Sequence, residues 1–243
     1  MRRADLRKDH AVLHRMQLLL PLCLLALFPS ARADSTDEQT DGLEERLAPC
    51  AACHGEGGRS ASEVYFPSLA GKPAGYLYAQ LENYRAGRRR HTIMENLLAH
   101  LSEPYLKEIA AYYASQQPKW TPPRQARSDD ELARGRELVE HGDADLGVPS
   151  CRACHGERLT GVAPYIPGLV GLRPEYLSAQ LAAWRSGARR SAEPDCMAEI
   201  ARRIDRDDLY AVTAWIASRP YPDDPRPAET QPRELPLECG IVR

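Results

Sequence analysis

The chain has 243 residues, of which 43% are hydrophobic and 27% are charged, so it is long enough for one large or two small folded domains and is not disordered as a whole. Its formal net charge is −2, and the composition gives no reason to expect nucleic-acid binding.

The first 33 residues have the features of a cleaved secretory signal peptide. Basic residues are frequent up to Arg15, an apolar run of 11 residues extends from Leu18 to Phe28, and Ala31-Arg32-Ala33 has the small-x-small pattern of a cleavage site. The apolar run is too short to span a bilayer comfortably, although an uncleaved anchor is the alternative. Without residues 1–33 the chain has 26 basic and 32 acidic residues, a net charge of −6. We therefore expect an exported, periplasmic protein with no transmembrane segment in the mature chain.

The rest of the sequence contains an internal repeat with a period of roughly 100 residues, which is the size of a domain. The matched pairs begin with Cys50-Ala-Ala-Cys-His-Gly and Cys151-Arg-Ala-Cys-His-Gly, and continue with Pro67-Ser-Leu-Ala-Gly and Pro167-Gly-Leu-Val-Gly, Tyr76-Leu-Tyr-Ala-Gln-Leu and Tyr176-Leu-Ser-Ala-Gln-Leu, and Tyr84-Arg-Ala-Gly and Trp184-Arg-Ser-Gly. We predict two domains at 34–117 and 129–220, a proline-rich linker at 118–128, and a proline-rich tail at 221–243.

Each copy is predicted to be helical, which makes the fold class all-α with two tandem domains. In chain order, helices are predicted at 76–84, around Leu106 to Tyr113, at 129–141, at 176–184 and around Leu209 to Ile216. Apolar residues recur at i, i+3, i+4 and i+7 in the second and the last of these. Ser128-Asp-Asp-Glu131 has the spacing of a capping box at the start of the third. No run of alternating strand residues stands out.

Cys50-x-x-Cys53-His54 and Cys151-x-x-Cys154-His155 match the attachment signature of c-type haem. The two thiols of such a motif bond the vinyl groups of one haem, and the adjoining histidine places its imidazole under the iron. A zinc site would need a second ligand pair at short range, and a thioredoxin-like motif would need strands around it. The sequence thus predicts two covalently bound haems, one in each domain.

The sixth ligand of each iron is predicted by elimination. Outside the signal peptide the chain has two methionines, Met94 and Met197, which lie 40 and 42 residues after His54 and His155. Thioether ligation by both is our prediction, and a Met/His pair raises the haem potential relative to two histidines. His91 or His100 is the alternative at the first haem.

At the second haem, His141 and the thiolate of Cys196 are the alternatives to Met197. Cys196 and Cys239 are the two cysteines that remain when the haem cysteines and Cys23 are set aside. Because the compartment is oxidising, we predict a Cys196–Cys239 disulfide that ties the tail back beside Met197. Ligation by Cys196, with Cys239 free, stays open at this point.

Other residues are candidates to support the haems. A ligating imidazole usually donates its second N–H to a carbonyl, and Pro67 and Pro167 follow the histidines by 13 and 12 residues. Tyr84 and Trp184, with the adjoining Arg85 and Arg185, are candidates to pack on the haem edges and meet the propionates. The alternative is that the two aromatic side chains belong to the helix core and that both arginines are solvated.

These residues resemble the cytochrome c4 family of dihaem cytochromes. The resemblance rests on Cys50-x-x-Cys53-His54-Gly, Pro67-x-Leu69-x-Gly71, Gln80-Leu81 with Gly87, and Met94, each repeated in the second half through Met197, and it covers about residues 43 to 220. It implies two class I cytochrome c domains with His/Met-ligated haems and adjacent haem edges. It also implies a periplasmic electron shuttle, often one that feeds a terminal haem-copper oxidase. The short stretch from Asp41 to Pro49 departs from the family, as do Cys196 and the tail.

The expected function is electron transfer between redox partner proteins, a respiratory donor and a terminal oxidase or dehydrogenase, rather than catalysis. Iron with six ligands leaves no open site for a substrate, and no separate catalytic constellation is evident. The alternatives are a cytochrome subunit of a periplasmic dehydrogenase complex and a dihaem enzyme resembling the thiosulfate dehydrogenases, which use a Cys-ligated haem.

Overall fold

The computed structural model describes residues 42–60, 66–119, 128–229 and 234–242. The predicted signal peptide and most of the predicted linker therefore lie outside the described residues. Everything described belongs to one compact unit. No helix in these four ranges is long and apolar enough to cross a bilayer.

The described residues form ten α-helices, as the all-α prediction requires. In chain order they are α1 (Leu43–Arg46), α2 (Ala48–His54), α3 (Ala74–Arg85), α4 (Thr92–Leu98), α5 (Glu103–Ser115), α6 (Asp129–Glu140), α7 (Cys151–His155), α8 (Pro174–Ser186), α9 (Cys196–Arg203) and α10 (Arg206–Ser218). Short 3₁₀ turns lie at Glu56–Gly58 and Gly240–Val242.

The structure differs from the sequence-based picture in two small antiparallel hairpins. Strand β1 (Gly142–Asp143) pairs with β2 (Val148–Pro149), and β3 (Gly161–Val162) pairs with β4 (Ile166–Pro167). Two-residue strands are too short to produce an alternating pattern, so the sequence could not reveal them. Both hairpins lie in the second copy, on either side of α7.

The helix starts follow from their capping residues. The Ser128 side chain accepts a hydrogen bond from the Glu131 N–H at 3.2 Å, so the predicted cap is confirmed and α6 begins at Asp129 as expected. Ser102 caps α5 and Asp205 caps α10 in the same way. Each copy has a helix just before its last one, α4 in the first copy and α9 in the second, and neither was predicted. They have seven and eight residues, which is too few to show a full amphipathic pattern.

The first copy packs α3 against α5 around the apolar side chains of its core. The buried members of this core cluster are Leu47, Tyr76, Leu77, Leu98, Leu106, Ile109, Ala110 and Tyr113. Leu106 is fully buried, and burying a leucine contributes about 1.5–3 kcal/mol. Cys50 and Met94 also pack against this cluster, so the core positions part of the first candidate site.

The second copy packs α10 against both α6 and α8. Its core contains Leu138, Val139, Leu159, Leu177, Val212, Trp215 and Ile216. The α6 and α10 helices approach so closely at Gly135 that a side chain there would collide with the Ala211 carbonyl. In the first copy α1 occupies the place of α6 but has only four residues, and it is joined to α5 by an Arg46–Glu108 ion pair of 3.0 Å. Within the described residues, the N-terminal helix of the first copy is therefore shorter than that of the second.

The two copies meet through backbone as well as side chains. Arg89 and Arg189 form an antiparallel bridge, and the Arg190 N–H donates to the Arg88 carbonyl at 2.7 Å. The Tyr76 N–H donates to the Pro164 carbonyl at 3.0 Å. These bonds connect the α3–α4 loop of the first copy to the α8–α9 loop of the second, and the first turn of α3 to the second hairpin.

Candidate functional site

The four residues predicted for the second haem line a single cavity. Cys151, Cys154 and His155 lie on α7, and Met197 lies at the start of α9. The rest of the wall is largely apolar and includes Leu138, Val148, Ile166, Leu177, Ile204 and Ile216. A slot with two thiols, an imidazole and a thioether on apolar walls has the chemistry that a covalently bound haem requires.

The local sequence explains how α7 presents its side chains. The Ser150 hydroxyl donates to the Val139 carbonyl at 3.0 Å and anchors the start of α7 on the end of α6. The helix ends at His155, and Gly156 follows with φ of 82°. Gly55 has φ of 75° at the same place in the first copy. This left-handed backbone suits glycine, which explains the sixth position of C-x-x-C-H-G.

Both histidine rings are held by the carbonyls that the repeat predicted. His54 Nδ1 lies 2.9 Å from the Pro67 carbonyl oxygen, and His155 Nδ1 lies 2.8 Å from the Pro167 carbonyl oxygen. Burial lowers the pKa of each histidine, so both rings are neutral at pH 7 and donate through Nδ1. That tautomer leaves Nε2 with a free lone pair, which is the form that binds iron. The prediction for the two prolines is confirmed.

The first candidate site is built from the matched elements. His54 ends α2 and is 7% exposed, while Cys50 and Met94 are partly buried and pack against the same core cluster of the first copy. Cys53 is also partly exposed. The structure therefore brings Cys50 and Met94 to one apolar cluster, with His54 at the end of the helix that carries Cys50.

The alternative ligands differ in burial and bonding. His141 is exposed and does not line the second cavity. Cys196 lines that cavity but is bonded to Cys239, so it has no thiolate to offer. At the first site, His91 caps the start of α4 with its Nδ1 buried and unpaired, and His100 is exposed. The predicted disulfide is therefore present, with Cα atoms 5.2 Å apart, within the range that a disulfide can bridge.

The metal and redox alternatives for the cysteines receive no support from their surroundings. Within the described residues no group of three His, Cys, Asp or Glu side chains is placed to hold a metal ion. Burial raises the pKa of the Cys151 thiol to about 12.

The arginines at the domain boundary contact the two aromatic residues that the repeat singled out. Tyr84 and Trp184 do meet arginines, but these are Arg89 and Arg189, whose guanidinium carbons lie 4.8 and 3.8 Å from the ring centroids. Arg85 pairs instead with Glu82 on the surface at 3.1 Å. Arg185 donates to the Ile204 carbonyl. Arg85 therefore agrees with the alternative interpretation, a surface arginine, and contact of these residues with the haem edges and propionates stays a prediction.

A network of hydrogen bonds joins these arginines across the two copies. Gln80 accepts from Arg89 at 3.2 Å and from Arg189 at 2.9 Å. Gln180 accepts from Arg89 at 3.0 Å and from Arg189 at 2.7 Å. Each guanidinium also reaches the tyrosine hydroxyl of the opposite copy, Tyr176 or Tyr76. The signal that could have revealed this cluster is the arginine that follows Gly87 and Gly187 by two positions in both copies.

The polar end of the second cavity fits the carboxylates of a haem. Arg189 and Lys72 line it, and within the described ranges no carboxylate lies at ion-pair distance from either cation. Burial lowers the pKa of Lys72, as expected for a cation without a counter-ion. The indole N–H of Trp184 also lines the cavity, buried and without a hydrogen-bond partner. An anion with several acceptor oxygens, such as a pair of propionates, would satisfy all three groups.

The comparisons with known proteins agree with this geometry. The family model described as cytochrome c matches residues 46–122. The chain is 35% identical to a protein of Stutzerimonas stutzeri named thiosulfate dehydrogenase electron acceptor, over 79% of this chain and 91% of that protein. It is 33% identical to cytochrome c4 of Pseudomonas aeruginosa, over 83% of this chain and 98% of that protein.

A solved structure, the thiosulfate dehydrogenase of Marichromatium purpuratum, superposes with a TM-score of 0.63 and 34% identity. The match covers 73% of this chain but only 38% of that one, so the chain spans less than half of the solved protein. With two C-x-x-C-H motifs on matched helices and relatives of this similarity along most of its length, the chain belongs to the cytochrome c4 family and is an electron-transfer protein with two covalently bound c-type haems.

Proposed function

We propose that this protein is a periplasmic electron carrier that accepts electrons from a thiosulfate dehydrogenase and passes them to a respiratory acceptor. The observation that carries the proposal is the 35% identity, over 79% of this chain and 91% of the relative, to a protein named as the electron acceptor of such an enzyme. The fold match to a segment of a larger thiosulfate dehydrogenase supports the same pairing. The signal-peptide features of residues 1–33 support a periplasmic location.

In this proposal each copy holds one haem through its own residues. Cys50 and Cys53 form the thioether bonds of the first haem, and Cys151 and Cys154 form those of the second. Each bound haem supplies an iron that changes between ferric and ferrous states by one electron. Everything else is done by the protein, which orients the rings, excludes water and sets the charge around the iron.

The axial ligands in this proposal are His54 with Met94 and His155 with Met197. The hydrogen bonds to the Pro67 and Pro167 carbonyls support the histidines, because they fix the tautomer and the ring orientation. The shared cavity of His155 and Met197 supports the second pair most directly. The disulfide at Cys196 supports a thioether over a thiolate there.

The two sites fit an electron carrier better than they fit an enzyme. Two protein ligands on each iron leave no position for thiosulfate to bind. The described cysteines outside the attachment motifs are joined to each other, so neither is available to attack a sulfur atom. The boundary network of Arg89 and Arg189 holds the two copies together, which favours transfer of an electron from one haem to the other.

The test is to mix the oxidised protein with thiosulfate, with and without a purified thiosulfate dehydrogenase, and to follow haem reduction optically. We expect reduction only when the enzyme is present, with two electrons taken up per chain. Reduction by thiosulfate alone would make this chain the enzyme, and no reduction in either mixture would rule out the proposed donor.

A second candidate role is delivery of electrons to a terminal oxidase. The 33% identity to cytochrome c4 over 98% of that protein favours it as the downstream half of the same pathway. Oxidation of the reduced protein by membranes that contain a haem-copper oxidase, sensitive to cyanide, would be the expected result. Oxidation that cyanide leaves unchanged would exclude this acceptor.

A further inference from the structure

The tail that follows α10 contacts the second haem site at two places. Its described residues are 221–229 and 234–242. The first range pairs with the hairpin of β3 and β4, and the second is bonded to the start of α9 and to the loop before it. The hairpin belongs to the histidine side of the site and α9 to the methionine side, so the tail connects the two sides.

On the histidine side the contact is made by the backbone. The Ala228 N–H donates to the Gly161 carbonyl at 2.9 Å, and the Ala163 N–H donates to the Ala228 carbonyl at 2.8 Å. Strand β4, which pairs with β3, ends at Pro167, whose carbonyl lies 2.8 Å from Nδ1 of His155. The first range of the tail is therefore bonded to the hairpin that orients the histidine ring.

On the methionine side two links lie within three residues of Met197. Cys239 is bonded to Cys196, which directly precedes Met197. The Gly240 N–H donates to the Pro194 carbonyl at 2.9 Å. The backbones are so close there that a side chain at Gly240 would collide with the loop before α9. The end of the tail is thus fixed to the segment that presents the thioether.

The end of the tail also forms part of the cavity wall. Leu237, Ile241 and Val242 line the cavity that contains His155 and Met197. Ile241 packs in addition against the core cluster of the first copy. Release of the tail would therefore remove apolar side chains from the wall beside the thioether and admit water there.

The described residues of the first copy contain no equivalent of these links. When Met94 is aligned with Met197, Ile93 takes the place of Cys196. Ile93 is 56% exposed, whereas Cys196 is bonded to the tail. The repeat thus presents two methionines on matched helices, and the tail supports the second one.

We infer that the tail is a strap that positions Met197, because it ties the start of α9 to the hairpin that orients His155 and so keeps the thioether on the second iron. The inference rests on the proposed ligation by His155 and Met197 and adds what holds that pair together. An outside ligand binds the iron only where the thioether has left, so its apparent affinity depends on the fraction of open sites. The strap lowers that fraction at the second haem and leaves the first haem unaffected.

The test measures the affinity of imidazole for the ferric irons of the haem-loaded full chain, by optical titration. Two backgrounds separate the irons. In Met94→His the first iron has two histidine ligands, and only the second iron exchanges a thioether for imidazole. In Met197→His the situation is reversed, and imidazole reports on the first iron.

Three changes are made in each background. Replacement of both disulfide cysteines, Cys196→Ser with Cys239→Ser, opens the bridge and leaves no thiol that could bind iron. Ala228→Pro removes the N–H that donates to the hairpin on the histidine side. Arg226→Met is the matched control within the tail, because that side chain is exposed and bonds Asp224.

In the Met94→His background, we expect the double serine change to raise the imidazole affinity of the second iron at least about ten-fold, and Ala228→Pro to raise it at least about three-fold. Arg226→Met should stay within about two-fold. In the Met197→His background, all three changes should leave the affinity of the first iron within about two-fold. An equal rise at both irons would overturn the inference, since the tail would then stabilise the chain as a whole. An unchanged affinity of the second iron in either strap variant would overturn it too.

The absorption band that a thioether ligand gives ferric haem separates this inference from the ligation on which it rests. In the Met94→His background with an unaltered tail, that band reports Met197 alone. Its absence would overturn the proposed ligation and the strap together. If the band is present and the imidazole affinity does not respond to the tail variants, the ligation stands and the strap is wrong.

Discussion

Arg89 and Arg189 occupy matched positions in the two copies and face each other in an antiparallel bridge, with their guanidinium groups sharing the side-chain oxygens of Gln80 and Gln180. Like charges this close need an anion nearby, and no carboxylate in the described residues pairs with either arginine. The haem propionates are the anions that the family implies. The boundary between the copies is therefore expected to set the haem potentials as well as to hold the domains together.

Removal of one of these charges should lower a haem potential. Arg189→Met takes a positive charge from the second cavity and so stabilises the ferric state. At a distance of about 10 Å from the iron and an effective dielectric constant of 20, the interaction energy of one charge is about 1.7 kcal/mol. For one electron this corresponds to a change in potential of about 70 mV. A redox titration should show this decrease in one of the two steps. Arg85→Met, which changes a surface arginine paired with Glu82, is the matched control and should shift neither step.

The axial methionines should control one haem each. Met94→His and Met197→His each replace a thioether by an imidazole, and Met/His ligation has the higher potential. We expect each variant to lower one reduction step by on the order of 200 mV, within the span of about 0.8 V that axial ligands cover, and to leave the other nearly unchanged. If Met94→His leaves both steps in place, His91 or another group already ligates the first iron.

The Cys196–Cys239 disulfide should stabilise the second copy. It closes a loop with a sequence separation of 43, for which the chain-entropy model gives about 4 kcal/mol as an upper figure. Cys239→Ser should therefore lower the midpoint of thermal unfolding. Thiol titration of the unfolded, unreduced holoprotein provides the check, with no free thiol expected in wild type and one in the variant. Two free thiols in wild type would show that the bridge does not form in solution.

A glycine at the domain boundary gives a test of the packing. A side chain at Gly75 would lie 2.6 Å from the Pro164 carbonyl and from the Tyr165 ring, both in the other copy. Gly75→Ala should destabilise the protein by about 1–3 kcal/mol through overpacking. Gly42→Ala is the matched control, because nothing lies within 4 Å of that site and its φ of −52° suits alanine. Equal chemical-denaturation midpoints for the two variants would mean that the copies do not pack as described.

Local patterns in the sequence were sufficient for the main helices and for the haem motifs. The Ser128 cap predicted α6 to within one residue, and the repeated tyrosines at 76 and 176 located α3 and α8. The proline carbonyls were predictable because the repeat preserved their distance from each histidine. The disulfide followed from elimination, since two cysteines remained without a role in an oxidising compartment.

Features that depend on contact between the copies were not predictable in this way. Arg89 belongs to a run of three arginines, which from the sequence alone looks like a solvated surface, and only its bridge to Arg189 gives it a buried role. The contact between the tail and α9 likewise depends on where the fold places residues 237–242. The domain boundaries at 34–117 and 129–220, and the linker between them, stay predictions.

The central claim is that the repeat encodes two six-coordinate His/Met haem sites that carry one electron each. A redox titration followed by optical absorbance and electron paramagnetic resonance tests it most directly, because it reports haem number, ligation and potential together. We predict two one-electron steps per chain, with both ferric haems low-spin and His/Met-ligated. A single step, a high-spin five-coordinate iron, or the signature of a thiolate or of two histidines on either haem would contradict the account.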